Sequence, residues 1–300
     1  MSSADIPPLR DLLGALGTRE HAPSTALRDA TLASAFAARA AGLPPAVAGT
    51  AAGLLVEVSD ALDADLIALD AATWQTPVIF DWSVQDVVAH LTAVNEIAVS
   101  RVTGHNVTAV EMAELDAANE IAVHGHRSCA PADTLGAWRR SVARLRHGVA
   151  TCESEVNWLG LSVPAETVIV DRAFETWIHA NDIRNAIGRA SLDPSAQHLR
   201  VLCDLAVELL PLALAVTGRA QTGTLQITLS GPGGGDWTVD LGMGRPGPSE
   251  ITFHAAAREL CLLMGDRIDA RDFAYTVRGT DDAAGIAADL VASANVFARP

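Results

Sequence analysis

One stretch of the sequence organises the rest, and it reads Arg172-Ala-Phe-Glu-Thr-Trp-Ile-His-Ala-Asn-Asp-Ile-Arg184. It lies in a segment, 166–187, whose pattern predicts a helix ended by Gly188, since glycine is favoured just beyond helix C-termini. Glu175 and His179 are four residues apart, so both side chains lie on one face of that helix. A carboxylate and an imidazole on one face can bind a single metal ion, with a third ligand supplied from elsewhere in the chain.

A second stretch, Trp82-Ser-Val-Gln-Asp-Val-Val-Ala-His-Leu91, offers that third ligand. Ser83 and Asp86 have the spacing of a capping box, so a helix is predicted to start at Ser83. His90 falls beside the apolar stripe of this helix. Two helices of a bundle can supply a His/His/carboxylate set, which is the ligand set of a catalytic zinc site with an open position. Asp86 is predicted to orient the His90 ring by contacting the side of the ring that faces away from the metal, and Asp182 to do the same for His179.

The residues alone leave a second interpretation open. A histidine in an apolar helix also suits a hydrogen-bonded place in the core, and two groups at this spacing occur together by chance. Another pair, His124 and His126, has a spacing seen in metal sites, but it falls in a predicted polar turn.

Hydrophobic periodicity predicts a mostly helical α+β protein in three parts. Residues 1–45 form a helical N-terminal leader, 46–190 an antiparallel helical bundle, and 191–300 a linking helix followed by a small α+β C-terminal domain. In the last part, Thr224–Ser230 and 236–241 alternate with period two around a glycine-rich turn, which predicts a β-hairpin.

Two further segments are predicted to be connectors without regular structure. They are 73–80, which contains Pro77, and 157–164.

Composition restricts the partners. The net charge is −15, and all 21 basic residues are arginines, which argues against nucleic acid and anionic membranes as partners. No apolar run approaches the ~20 residues of a membrane span. The first residues have neither a basic start nor an apolar stretch, so no signal peptide is expected and the cytoplasm is favoured. The four scattered cysteines are expected to be reduced thiols.

Both stretches resemble the two signatures of the DinB-like, mycothiol-dependent maleylpyruvate isomerase family. The resemblance covers about residues 46–298, including the hairpin of the small C-terminal domain. It implies a DinB-like four-helix bundle in which His90, Glu175 and His179 bind zinc. Another divalent metal can take the place of zinc in such a ligand set. It also implies mycothiol, a sugar thiol, as cosubstrate, and no catalytic residue beyond the metal ligands.

The activity implied by the resemblance is activation of a thiol for attack on a small electrophile. Cis–trans isomerisation of maleylpyruvate is the family prototype, and an S-transferase would use the same first step. Substrate carboxylates would need cations, and the candidates are Arg172, Arg184 and Arg267, although solvent-facing salt bridges also suit all three. Trp82 would line the cleft.

A second function also fits the sequence, namely a non-catalytic, metal-binding regulatory module that binds a partner through the leader. As an enzyme, the protein is expected to be a monomer or homodimer that binds a small electrophile and a low-molecular-weight thiol. The sequence leaves open the electrophile, the metal, and the choice between isomerase and transferase.

Overall fold

The computed structural model describes residues 49–104, 112–152, 155–242, 251–279 and 281–298, which all belong to one compact unit, Ala46–Pro300. The predicted leader, 1–45, lies outside the described residues. The helices of the described part are α1 (Ala51–Ile67), α2 (Val84–Val102), α3 (Met112–His126), α4 (Pro131–Thr151), α5 (Ala165–Ala186), α6 (Ala196–Val216), α7 (Ala257–Met264) and α8 (Ala283–Ser293). The described helices include none that is long and apolar enough to cross a membrane.

Helices α1, α2, α4 and α5 form the bundle. Helix α1 packs mainly on α5, and α2 packs on α4 and on α3. The leucine stripe predicted for α1 is buried, with Leu54 and Leu62 fully inaccessible to solvent. The predicted fold class is confirmed: a helical bundle is followed by a smaller α+β part.

Local sequence signals set the ends of the two helices that matter most. Helix α2 begins at the predicted capping box, because Ser83 Oγ accepts from the Asp86 N–H and the Asp86 carboxylate accepts from the Ser83 N–H. Helix α5 ends as predicted at Gly188, whose φ is +72°. The Gly188 N–H donates to Asn185 O and the Arg189 N–H to Arg184 O, the two bonds of a Schellman motif.

Two predicted connectors contain strands instead. Segment 73–80 holds a 3₁₀ turn, Thr73–Gln75, and strand β1 (Pro77–Ile79), which pairs with β2 (Trp82–Ser83). Segment 157–164 belongs to an antiparallel hairpin of β3 (Glu155–Trp158) and β4 (Leu161–Pro164).

The β3–β4 turn explains why that hairpin is missed. It consists of Leu159 and Gly160, with φ of +53° and +79°, so both residues are left-handed as in a type I′ turn. The first position of such a turn usually carries asparagine, aspartate or glycine, so leucine at this position gives no sign of a turn in the sequence.

A third difference from the sequence prediction concerns His124 and His126, which lie in the last turn of α3 and not in a connecting turn.

The C-terminal part contains a four-stranded sheet in the order β6-β5-β7-β8. The strands are β5 (Thr224–Ser230), β6 (Gly235–Asp240), β7 (Ile251–Ala256) and β8 (Tyr275–Arg278). The predicted β5–β6 hairpin is confirmed, whereas β7 runs parallel to β5.

Helix α7 joins this sheet to the bundle. Cys203 on α6 and Cys261 on α7 are both fully buried free thiols whose sulfurs lie 3.8 Å apart. At the end of α7, Gly265 lies so close to α5 that an added Cβ would lie 2.8 Å from Ile178 Cδ1. The absence of a side chain at Gly265 therefore lets the α7 terminus approach the helix that carries Glu175 and His179.

Candidate metal centre

Helices α2 and α5 bring the three predicted ligands together. Glu175 Oε2 lies 3.8 Å from His90 Nε2 and 3.3 Å from His179 Nε2. One ligand atom from each of these side chains lies within 4.8 Å of the other two, which is close enough for all three to bind one metal ion. The histidine side chains are 2% and 0% exposed, whereas that of Glu175 is 16% exposed, so solvent reaches the cluster through Glu175.

The far nitrogen of each imidazole has a polar partner. His90 Nδ1 lies 3.0 Å from Asn119 Oδ1, and His179 Nδ1 lies 3.0 Å from Asp182 Oδ2. Each partner offers an oxygen, so each Nδ1 carries the hydrogen and donates it. The lone pair of each ring is then at Nε2, the atom that faces Glu175.

Both Nε2 atoms are buried and lack a hydrogen-bond partner within the described part of the chain. A buried polar nitrogen without a partner is costly, and such atoms are rare in folded proteins. Two of them facing one carboxylate fit a divalent cation, because two imidazole lone pairs and one carboxylate oxygen are common zinc ligands. The residues present therefore suit the metal that the family resemblance implies.

The pKa shifts of Glu175 and His179 favour an ionised carboxylate with positive charge beside it. Burial lowers the pKa of His90 to about 4, so this ring is neutral at physiological pH. Burial alone would raise the pKa of Glu175, but the adjacent imidazoles of His179 and His90 and the charge of Arg172 outweigh it and hold this pKa well below its usual range. For His179, burial is outweighed by the Asp182 and Glu175 carboxylates, which raise its pKa. The cluster thus holds an ionised carboxylate and attracts positive charge.

The Asp182 carboxylate, which accepts from His179, is itself held by Arg267. Arg267 donates to the Asp182 carboxylate through Nε at 2.7 Å and Nη2 at 2.6 Å, and its Nη1 donates to Gly265 O at 2.7 Å. Arg267 was predicted to bind substrate, but the structure engages its guanidinium within the protein. Burial would raise the pKa of Asp182, yet the hydrogen bonds from Arg267 and His179 keep it below its usual range.

The predicted role of Asp86 is wrong. Its carboxylate closes the capping box of α2 and accepts from Arg127 Nε at 3.0 Å. Asp86 precedes His90 by four residues on α2, but the oxygen that meets His90 comes from Asn119 on α3. Sequence reasoning missed Asn119, because nothing near it along the chain signals a contact with a histidine 29 residues earlier.

The other three residues predicted to contact substrate lie in three different environments. Arg184 donates to Asp65 at 2.6 Å and to Ala190 O, so it forms a structural ion pair. Arg172 is 3% exposed, and its charge acts on Glu175 and His90. The Trp82 ring lies 5.2 Å from the His90 ring and borders a wide cleft that Asn119 also lines.

The alternative histidine pair does not join the cluster. His126 Nδ1 lies 2.9 Å from Thr134 Oγ1, and His124 is exposed on the rim of the same wide cleft.

Fold and site together define a class: a helical bundle with a buried His/Glu/His cluster, followed by a small α+β part. Residues 55–184, which include all three cluster residues, match the family model of the mycothiol maleylpyruvate isomerase N-terminal domain. The family resemblance is therefore confirmed, and this segment belongs to that domain family.

Individual relatives agree with the match. An uncharacterized protein of Mycobacterium tuberculosis, found in two strains, is 27% identical in an alignment of 224 positions that covers 70% of this chain and 82% of that protein. The crystal structure of the mycothiol-dependent maleylpyruvate isomerase is similar in fold, with a TM-score of 0.51 and 19% identity, over 75% of this chain and 91% of that chain. A histidine-to-alanine mutant of that isomerase gives a TM-score of 0.50 with 18% identity.

Proposed function

We propose that this protein is a metal-dependent isomerase or S-transferase that uses mycothiol as cosubstrate and acts on a small electrophile. The observation that carries the proposal is the pair of buried Nε2 atoms of His90 and His179, which face the Glu175 carboxylate and have no hydrogen-bond partner among the described residues. The family match and the fold similarity to a mycothiol-dependent isomerase support the thiol as cosubstrate.

His90, Glu175 and His179 would hold the metal, with zinc as the expected ion. When bound, a divalent metal supplies Lewis acidity, which lowers the pKa of a coordinated thiol and makes the nucleophilic thiolate available at neutral pH.

The protein's own groups prepare the site. Asn119 and Asp182 accept the Nδ1 hydrogens and so fix both rings with Nε2 toward the centre. Arg267 in turn fixes the Asp182 carboxylate. The Trp82 ring lies 5.2 Å from the His90 ring and so borders this side of the cluster. This preorganisation keeps the ligand atoms in place before any ligand arrives.

The chemistry of the cosubstrate then allows two outcomes. A thiolate that adds to a conjugated cis double bond, permits rotation and leaves again gives the trans isomer. A thiolate that stays bonded to carbon gives a thioether, which is an S-transferase product. The same activated thiol serves both reactions.

The proposal is tested by titrating mycothiol into the cobalt-substituted protein. A bound thiolate gives cobalt a charge-transfer absorption in the near ultraviolet, and we expect this band in the natural protein. His90→Ala should abolish the band, whereas His124→Ala, which removes an exposed histidine outside the cluster, should retain it. No band in the cobalt-loaded natural protein would overturn the thiol-activating function.

A further inference from the structure

Arg172 is a buried cation whose hydrogen bonding is incomplete. It lies on α5, is 3% exposed, and directs Nε to Asn95 Oδ1 on α2 at 3.4 Å, which is a long hydrogen bond. Its Nη2 is buried and has no hydrogen-bond partner in the described part of the chain. Asp171 is the only carboxylate among the described residues within 4.0 Å of its nitrogens, at 3.6 Å from Nη1. Because a guanidinium carries five N–H donors, this one keeps donor capacity inside the protein that those residues do not use.

The charge of Arg172 lies beside the candidate metal cluster. Arg172 precedes Glu175 by three residues and His179 by seven, so all three lie on one face of α5. Burial is the main cause that lowers the pKa of His90, and the charge of Arg172 adds to it. Burial raises the pKa of Glu175, and the same charge is one of the effects that outweigh it. The Glu175 carboxylate nevertheless faces the two imidazoles and forms no ion pair with Arg172 within 4.0 Å.

The buried atoms around the cluster that have no partner among the described residues are of two kinds. The Nε2 atoms of His90 and His179 offer lone pairs, which suit a cation. Arg172 Nη2 offers N–H groups, which suit an acceptor and most of all an anion. The single carboxylate of Glu175 does not balance both a divalent cation and a guanidinium. A site that holds the cation therefore favours an anion as its further ligand, because buried charge is costly unless it is paired.

We propose that Arg172 is an anion-binding residue of this site, whose Nη2 donates to an anionic ligand bound beside the cluster. The inference rests on the proposed function only in naming that ligand as the thiolate of mycothiol. An N–H donor directed at the sulfur would favour the thiolate over the thiol, because a hydrogen bond to the charged form stabilises that form. A buried guanidinium lowers stability unless it is paired, so its presence here is explained by a ligand that completes its hydrogen bonding.

Azide binding to the cobalt-loaded, full-length protein tests the proposal directly. Azide is a slender monoanion, and its binding is followed by the visible absorption of cobalt. Arg172→Met removes the donors and the charge, and should weaken azide binding about 10-fold to 100-fold, since hydrogen bonds to charged groups are strong. Arg172→Lys keeps the charge without the planar fork and should weaken azide binding less. Equal azide affinities in the natural protein and Arg172→Met, or no azide binding by the natural protein, would overturn the proposal.

Arg144→Met is the matched control for net charge. Arg144 lies on α4 with 57% of its side chain exposed, and its ion pair is with Glu96. Its replacement removes the same charge from the chain and should leave azide affinity unchanged, because exposed charges are screened by solvent and salt. A loss of azide affinity equal to that of Arg172→Met would contradict the assignment of Arg172.

A purely structural role for Arg172 predicts different changes. Under the proposal, Arg172→Met should keep or raise zinc affinity, because it removes a like charge from the neighbourhood of a cation. It should also keep or raise the free energy of unfolding, because methionine replaces a buried, incompletely paired charge. Competition with a zinc chelator and denaturant unfolding measure the two quantities. A variant that loses zinc affinity and stability together with azide affinity would assign Arg172 to the fold and overturn the proposal.

Mycothiol separates this proposal from the proposed function. The thiolate-to-cobalt absorption band is recorded at increasing mycothiol concentration in the natural protein and in Arg172→Met. Azide binding that depends on Arg172, with no thiolate band in the natural protein, would contradict the thiol-activating function while supporting the anion-binding residue. Thiolate bands that saturate at the same mycothiol concentration in both proteins would overturn the role of Arg172 while supporting the function.

Discussion

Arg267 donates two hydrogen bonds to the carboxylate of Asp182, with Nε 2.7 Å from Oδ1 and Nη2 2.6 Å from Oδ2. The two residues are 85 positions apart, and the arginine follows helix α7 of the C-terminal part while the aspartate lies on α5 of the bundle. Asp182 also accepts from His179 Nδ1. The orientation of one candidate ligand is thus set by a residue outside the bundle.

Arg267→Ala should therefore weaken metal binding without removing a ligand. Loss of an outer partner of a metal-bound histidine typically lowers metal affinity by about 10-fold to 100-fold. The zinc affinity of Arg267→Lys should lie between those of the natural protein and Arg267→Ala, because lysine keeps the charge but cannot donate in the bidentate manner. Competition with a chromophoric zinc chelator measures the affinity.

Arg258→Ala is the matched control for this change. Arg258 lies on α7 and donates to the exposed carboxylate of Asp193, so it forms an ion pair that does not reach the cluster. The relay from Arg267 to His179 would be refuted if Arg258→Ala lowered zinc affinity as much as Arg267→Ala does.

Asn119→Ala should also weaken metal binding. Asn119 Oδ1 is the acceptor that fixes the tautomer of His90, and without it the ring can rotate or move its proton to Nε2. We expect zinc affinity to fall by about 10-fold in the same competition assay. Asp116→Ala, at an exposed position on α3 that borders the same cleft, should leave it unchanged.

Asp86→Ala should lower the stability of the protein and leave its zinc affinity unchanged. Its carboxylate serves the start of α2 and the ion pair with Arg127, so its removal should lower the free energy of unfolding by about 1 kcal/mol. Zinc affinity per folded molecule should stay the same. Denaturant unfolding of the metal-free protein, followed by zinc titration, separates the two effects, and a loss of affinity matching that of Asn119→Ala would restore the role predicted from the sequence.

The sequence reveals those parts of the site whose chemistry is local. Glu175 and His179 share a helix face through their spacing, and the capping box places the start of α2 about two turns before His90. Likewise, Gly188 marks the end of α5 because only a residue that tolerates positive φ suits that position. These features depend on residues within one or two helical turns of each other.

The residues that the sequence misassigns depend on tertiary contacts. Asp86 and Asn119 are both polar residues on helices near His90, and only the packing of α3 on α2 decides which one meets the ring. Arg184 and Arg267 both had the charge expected of a substrate anchor, but Asp65 and Asp182 are their partners in the folded chain. Spacing along the chain carries no information about partners that are far apart in sequence.

Stability near the start of α6 should depend on pH through Glu57. Partial burial raises the pKa of Glu57, but hydrogen bonds involving His198 and Ser195 outweigh it and leave this pKa below its ordinary value. A depressed folded-state pKa means that the unfolded chain binds more protons in this range, so the stabilisation is present above the ordinary pKa of glutamate. It is lost as the pH falls through the lower, folded-state value.

Glu57→Gln should remove this contribution. Thermal unfolding followed between neutral pH and acid is expected to show a smaller loss of stability below the ordinary glutamate pKa in the variant than in the natural protein. Parallel pH profiles for the two proteins would contradict the assigned role of Glu57.

The central claim is that His90, Glu175 and His179 bind one divalent metal ion, and native mass spectrometry of the full-length protein after zinc addition tests it most directly. One zinc per chain is expected in the natural protein and in His124→Ala, and none in His90→Ala when both variants remain folded. A natural protein that stays free of metal after zinc addition, or a His90→Ala variant that retains stoichiometric zinc, would contradict it.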